Sequence, residues 1–173
     1  MKKSISIAAF MLATSIAVFS SAQGQSSASV NNMLNLSSNN LVRKATVTEE
    51  SSVNSKVLKS FHRNFKMDAP VQWSTDEQFY LAYFVKDGIQ HRITYRKNGS
   101  MVQTMKTYSV KHLNKDVRSQ IEETYDGYDI TGVTELSSNA DTVYFVNIES
   151  RRKLKEVISY EGELMVRKQF DLQ

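Results

Sequence analysis

Cysteine is absent from this chain of 173 residues, which excludes disulfide bonds, thiolate metal sites and thiol chemistry together. Proline occurs once and glycine six times, so collagen-like and proline-rich architectures are excluded as well. Neither sign of charge dominates: 22 Lys+Arg stand against 18 Asp+Glu. What is present is 40% hydrophobic and 23% charged residues, the balance of a globular chain of ordinary domain size with a core to bury.

The first residues read as an address. Lys2 and Lys3 give a positive start, Ile5 to Phe19 is an uncharged, mostly apolar run, and Ser20-Ser21-Ala22 supplies small residues where a signal peptidase cuts. The run is shorter than the roughly 17–25 residues that span a bilayer, and no second apolar stretch follows it. Residues 1–22 are therefore expected to be a cleaved signal peptide. With no cysteine to carry a lipid, the mature chain is expected in the periplasm or secreted, and not integral to the membrane. Without Lys2 and Lys3 the basic count falls from 22 to 20 against 18 acidic residues, too even a balance for a nucleic-acid binder.

Residues 23–50 are dominated by Ser, Asn and Gln as far as Asn40, a composition that buries too little surface to offset ordering entropy, and they read as a flexible tail. Patterning begins at residue 51. Val53, Val57, Phe61 and Phe65 recur every fourth residue and mark one face of an amphipathic helix, with Lys56, Lys59, Arg63 and Lys66 opposite. The stripe returns as Leu113, Val117, Ile121 and Tyr125, with Asn114 placed to cap it. Extended segments follow each stripe: Tyr80, Ala82 and Phe84 after the first correspond to Tyr144, Val146 and Ile148 after the second. Asp87-Gly88, Asn98-Gly99 and Glu161-Gly162 supply hairpin turns. The expectation is an α+β fold over residues 51–173, built from two repeats, about 51–110 and 111–173. Each would be a helix plus a four-stranded antiparallel sheet, and the two would form one pseudo-symmetric domain.

The order of the first helix, Ala69-Pro70-Val71-Gln72-Trp73, Tyr80 to Phe84, Ile93 to Gly99, and His112-Leu113 before a second helix resembles the PepSY-like family of exported bacterial proteins. That family is similar in fold to the beta-lactamase inhibitor protein. Asn114 departs from the proline often found there and Arg96 from a frequent aspartate. The resemblance, spanning roughly Val53 to Leu172, implies a non-catalytic periplasmic binding or inhibitor-like module whose partner is a protein or a cell-envelope component.

The residues themselves offer little chemistry. His62, His91 and His112 have no ligand spacing, so no metal and no cofactor are expected. Glu122, Glu123, Asp126 and Asp129 are oxygen-rich but lack the pattern of a calcium loop. No serine sits in a nucleophile elbow, and no glycines form a phosphate loop. An enzyme is not expected. Trp73 could stack on a sugar or fill a core, and its counterpart Val133 favours the core. Arg151, Arg152, Lys153 and Lys155 form the densest basic run, a candidate patch for lipid or peptidoglycan, against the plainer reading that basic residues protect a strand edge. Phe79 to Val85 is apolar on both strand faces. If Tyr80, Ala82 and Phe84 meet the helix, then Phe79, Leu81, Tyr83 and Val85 form an outer stripe, either a recognition surface or a face covered by the tail, the second unit or a dimer partner.

Overall fold

A computed structural model describes residues 46–66, 70–138 and 141–172. The expected signal peptide, 1–22, and most of the expected tail, 23–50, lie outside these residues. The end of that tail does not stay apart from the domain: Thr46–Thr48 is strand β1, and a 3-10 turn follows at Glu50–Ser52.

Helix α1 spans Ser55–Asn64 and helix α2 Lys115–Thr124. Each is started by an asparagine whose side chain satisfies a first-turn amide: Asn54 Oδ1 accepts from Lys56 N at 2.8 Å, and Asn114 Oδ1 accepts from Asp116 N at 2.9 Å and Val117 N at 3.3 Å. Each helix ends where the next residue, Phe65 or Tyr125, leaves helical geometry. At ten residues neither helix would persist alone in water, so packing of the apolar stripe holds each one.

The strands are β2 (Gln72–Thr75), β3 (Phe79–Lys86), β4 (Ile89–Arg96), β5 (Met101–Tyr108), β6 (Asp129–Ser138), β7 (Asp141–Glu149), β8 (Lys153–Tyr160) and β9 (Glu163–Asp171). They join in sequence order into one nine-stranded antiparallel sheet. This corrects the expected α+β fold of two helix-plus-four-stranded units. The architecture is mostly β, a single sheet carrying two short helices. The joint is the pairing of β5 with β6, where Thr104 to Tyr108 lie opposite Ser137 to Val133. A repeat count would end one sheet at β5 and begin another at β6, leaving two rows of backbone N–H and C=O groups unpaired. Pairing the two edges satisfies both rows.

Both helices lie on one face of the sheet. Val53, Val57 and Phe61 pack with Trp73, Ala82, Phe84, Ile93 and Tyr95 under α1, while Leu113 and Ile121 pack with Tyr108, Val133, Val146, Ile148 and Val157 under α2. Alternation along the strands sends the remaining residues to the opposite face, where a third cluster of Leu136, Val143, Phe145 and Ile158 is buried without either helix.

Candidate functional site

The helix-free face is where the structure places the apolar stripe. Tyr80, Ala82 and Phe84 belong to the α1 core, so Phe79, Leu81, Tyr83 and Val85 point the other way. They are not equally open. Leu81 is buried at 7% exposure, Phe79 and Tyr83 are half-buried, and Val85 is 48% exposed. Strand register extends the stripe sideways: Tyr83 lies opposite Arg92, Arg92 opposite Met105, Met105 opposite Leu136, and Leu136 opposite Val143. The adjoining row runs from Phe145 through Ile158 to Met165, which is 59% exposed at the edge strand β9. Arg167 lies over the Phe145 ring at 5.4 Å and pairs with Glu156 at 3.2 Å, so this face carries charge at its β9 side. On the face that neither helix covers, the β3 stripe is thus flanked by a polar β4, with Gln90, Arg92, Thr94 and Arg96 opposite it, and beyond β4 lies a second apolar group from Met105 to Met165 whose middle is buried.

The basic run is divided by its local structure. Arg151 and Arg152 are exposed in the β7–β8 turn and Lys153 is exposed at the start of β8. Lys155 turns toward the α2 side, where its ammonium lies 5.0 Å from the Tyr125 ring centre and 4.8 Å from that of Tyr128. Trp73 is buried at the centre of the α1 core, edge-on to Phe61 at 5.3 Å, and presents no face for sugar stacking. The acidic residues do not converge: Glu122 pairs with Arg118 at 2.8 Å, and among the described residues no three His, Asp or Glu side chains gather as metal ligands.

One feature was not legible in the stretch-by-stretch reading. On the helix side, His91, Lys106, Glu135, Tyr144 and Ser159 lie opposite one another in register across β4 to β8, a polar row between the two helix-covered cores. Glu135 is its hub, accepting from Lys106 Nζ at 2.8 Å and from the Tyr108 hydroxyl at 2.6 Å. Charge-assisted bonds of this kind are the strong ones, and here both carboxylate oxygens are held by neighbours. His91 stacks on Phe84 at 4.7 Å, and its Nδ1 is buried without a partner among the described residues. Burial lowers the His91 pKa, with the Lys106 and Lys86 charges adding to the effect. The signal for this row was parity: Lys106 shares a strand face with Tyr108, and Glu135 with Val133, so two charges stand on core-facing positions.

The same row and the α1 core set the alkaline limit of stability. Burial pushes the Tyr95 phenol up to about 12, and raises Tyr108 and Tyr144 above their ordinary range, Tyr108 with further help from its bond to Glu135. In the unfolded chain these phenols ionise near ~10. Above that pH the unfolded state loses protons that the folded state retains, so the stabilisation present below pH ~10 is lost as pH rises through ~12. His91 acts with the opposite sign, its contribution fading as pH falls below ~6.5. Melting followed by circular dichroism across pH should show the alkaline loss. A melting temperature unchanged from pH ~9 to ~12 would contradict it.

No family model matches the chain, and no curated protein matches it. The PepSY-like membership that the motifs suggest is therefore not shown. Solved structures do match. A DUF2874 family protein from Bacteroides uniformis is 14% identical, with 68% of this chain and 88% of that one covered at a TM-score of 0.53. A BLIP-like protein from Bacteroides fragilis is 17% identical, with 68% and 84% covered at a TM-score of 0.52. A protein provisionally described as periplasmic, from Bacteroides eggerthii, is also 17% identical, with 68% and 87% covered at 0.52. At such identities the likeness establishes the fold, and the fold is BLIP-like. Among the described residues no helix is long and apolar enough to cross a membrane.

Proposed function

We propose that this chain is an exported, non-catalytic binding module that docks a periplasmic or envelope protein on the helix-free face of its sheet, with Phe79, Leu81, Tyr83 and Val85 in the contact. The observation that carries the reading is the partly open apolar stripe of Phe79, Tyr83 and Val85 on a face without a helix, with Met165 open at the far edge of the same face. Exposed apolar side chains gathered on one face mark interaction sites more than scattered ones do. The charge at the β9 side, Arg167 and Lys168 against Glu156, gives the face a polar rim of the kind that surrounds an apolar interface centre. The neighbour described as BLIP-like fits an inhibitor-like role.

Tyr83 is the anchor in this reading, because it is large, half-buried and aromatic with a hydroxyl that tolerates water. The test compares capture by the full chain and by Tyr83→Glu from the soluble envelope fraction of the source cell, with captured proteins identified by mass spectrometry. Tyr83→Glu is expected to weaken capture at least about tenfold, roughly 1.4 kcal/mol, with the melting temperature nearly unchanged. If the variant melts much lower, Tyr83 is part of the core. If both capture and stability survive, this face is not the docking surface.

A further inference from the structure

On the helix side of the sheet, well away from that face, a cleft of about 370 Å³ opens between the first turns of α2 and the β8–β9 hairpin. Its volume is at the lower end of small-molecule sites, room for a ring-sized ligand rather than a chain segment. Asn114, Asp116 and Gln120 line it from the helix, Tyr144 and Ser159 from the sheet, and Glu161 from the hairpin turn. We infer that this cleft binds a neutral saccharide.

Two unpartnered hydroxyls form its floor. Tyr144 and Ser159 are direct cross-strand partners at the end of the polar row, and neither hydroxyl bonds to any described residue. Ser159 is only 2% exposed, and its Oγ keeps a narrow contact with solvent in the cleft that it lines. A group in that position is satisfied by whatever enters the cleft that it lines. The cleft is also braced, because Gln120 Nε2 donates to the Gly162 carbonyl and ties the helix to the hairpin. That leaves the Gln120 carboxamide oxygen as an acceptor on the wall, in a site whose geometry is set before a ligand arrives.

The turn itself supports the assignment. Glu161 has a φ of 49°, in the left-handed region where Gly, Asn and Asp are the residues that fit best. The equivalent position of the β3–β4 turn is Asp87, at a φ of 54°. A glutamate here is a poorer turn former than an asparagine, and what it adds is a longer carboxylate at the cleft wall. Backbone strain of this kind collects at ligand sites.

The lining decides the ligand class. Two carboxylates, two carboxamides, four hydroxyls and the rings of Tyr144 and Tyr160 match the alternating O–H donors and acceptors of a sugar ring and its apolar C–H face. Lys, Arg and His are missing from the lining, while Asp116 and Glu161 make it acidic, which disfavours phosphate, sulfate and carboxylate ligands. The start of α2 does not offset this, since Asn114 already occupies the Asp116 and Val117 amides. A hydrocarbon ligand would strand the hydroxyls of the floor.

The test is a titration of the isotopically labelled full chain, followed by amide resonances, with glucose, galactose, xylose and N-acetylglucosamine as probes. Glucuronate and putrescine are the charged controls. At least one neutral sugar is expected to shift the Tyr144, Ser159 and Gly162 amides saturably, with glucuronate at least about tenfold weaker. Ser159→Ala and Glu161→Gln should each weaken that sugar roughly fivefold, the loss of one hydrogen bond, with the rest of the spectrum unchanged. No saturable shift with any sugar would overturn the inference. So would binding of putrescine alone, which would make the cleft a cation site, or sugar-induced shifts that map to Tyr83 and leave Ser159 unmoved.

Discussion

Phe61→Ala is expected to lower the unfolding free energy by about 3–5 kcal/mol, the range for a buried phenylalanine truncated in a rigid core. Phe61 is 1% exposed, and its ring meets Trp73, Phe84 and Phe65 with centroids 5.3, 5.7 and 5.4 Å away. Val57 is the only other large apolar side chain of α1 buried as deeply, so removing the Phe61 ring leaves a cavity between helix and sheet that one remaining anchor cannot close. Because the sheet is continuous through β5 and β6, the loss should appear in one cooperative urea transition. The buried Trp73 reports from the α1 core by fluorescence, and circular dichroism reports on the whole sheet. Noncoincident curves would mean that the β1 to β5 side unfolds apart from the rest. A loss below ~1 kcal/mol would mean that α1 contributes far less than its packing indicates.

Gly99→Ala should cost about 2–4 kcal/mol, an effect out of proportion to one methyl group. Gly99 has a φ of 89°, a conformation that penalises any L side chain by roughly 1–2 kcal/mol. Its surroundings add more. A Cβ there would stand 2.7 Å from the carbonyl oxygen of Lys56 and 2.9 Å from its carbonyl carbon, both backbone atoms of the first turn of α1. Relief requires the helix to move off the sheet, a strain comparable to overpacking a core at about 1–3 kcal/mol. Gly88→Ala is the control: its φ of 75° is similar, but nothing lies within 4 Å of the new methyl. Gly88→Ala should therefore show the conformational cost alone. Equal losses at the two glycines, measured by urea denaturation, would show that the contact with α1 yields freely.

Much of the local structure was legible. The fourfold spacing from Val53 to Phe65 and from Leu113 to Tyr125 marks both helices, although each is shorter than its stripe because Val53 and Leu113 are extended ahead of the cap and Phe65 and Tyr125 already have non-helical backbone. Period-two alternation set Tyr80, Ala82 and Phe84 toward the helix, since a strand's side chains alternate whatever its neighbours are. The architecture was not legible in the same way. Helix and strand periods are properties of a segment, while the pairing of Tyr108 with Val133, which merges the strands into one sheet, depends on which edges meet in space. The candidate sites divide similarly. Phe79 to Val85 stands out as an apolar run, but the polar row of Lys106, Glu135 and Tyr144 is assembled from three strands and has no counterpart in any single stretch.

By itself the sequence determined the absence of thiol chemistry, the start of α2 at Asn114 and the turns that can reverse a strand. Composition and local spacing act through backbone conformations and side-chain chemistry that do not need the rest of the chain. Only the tertiary structure decided which of the similar turns is intolerant of a side chain, that Lys155 rests on two tyrosine rings, and that Ser159 lies buried beside a cleft. Asp87-Gly88 and Asn98-Gly99 read alike in sequence, yet only Gly99 touches α1, because close approach is a relation between segments some forty residues apart and is fixed when the helix docks on the sheet.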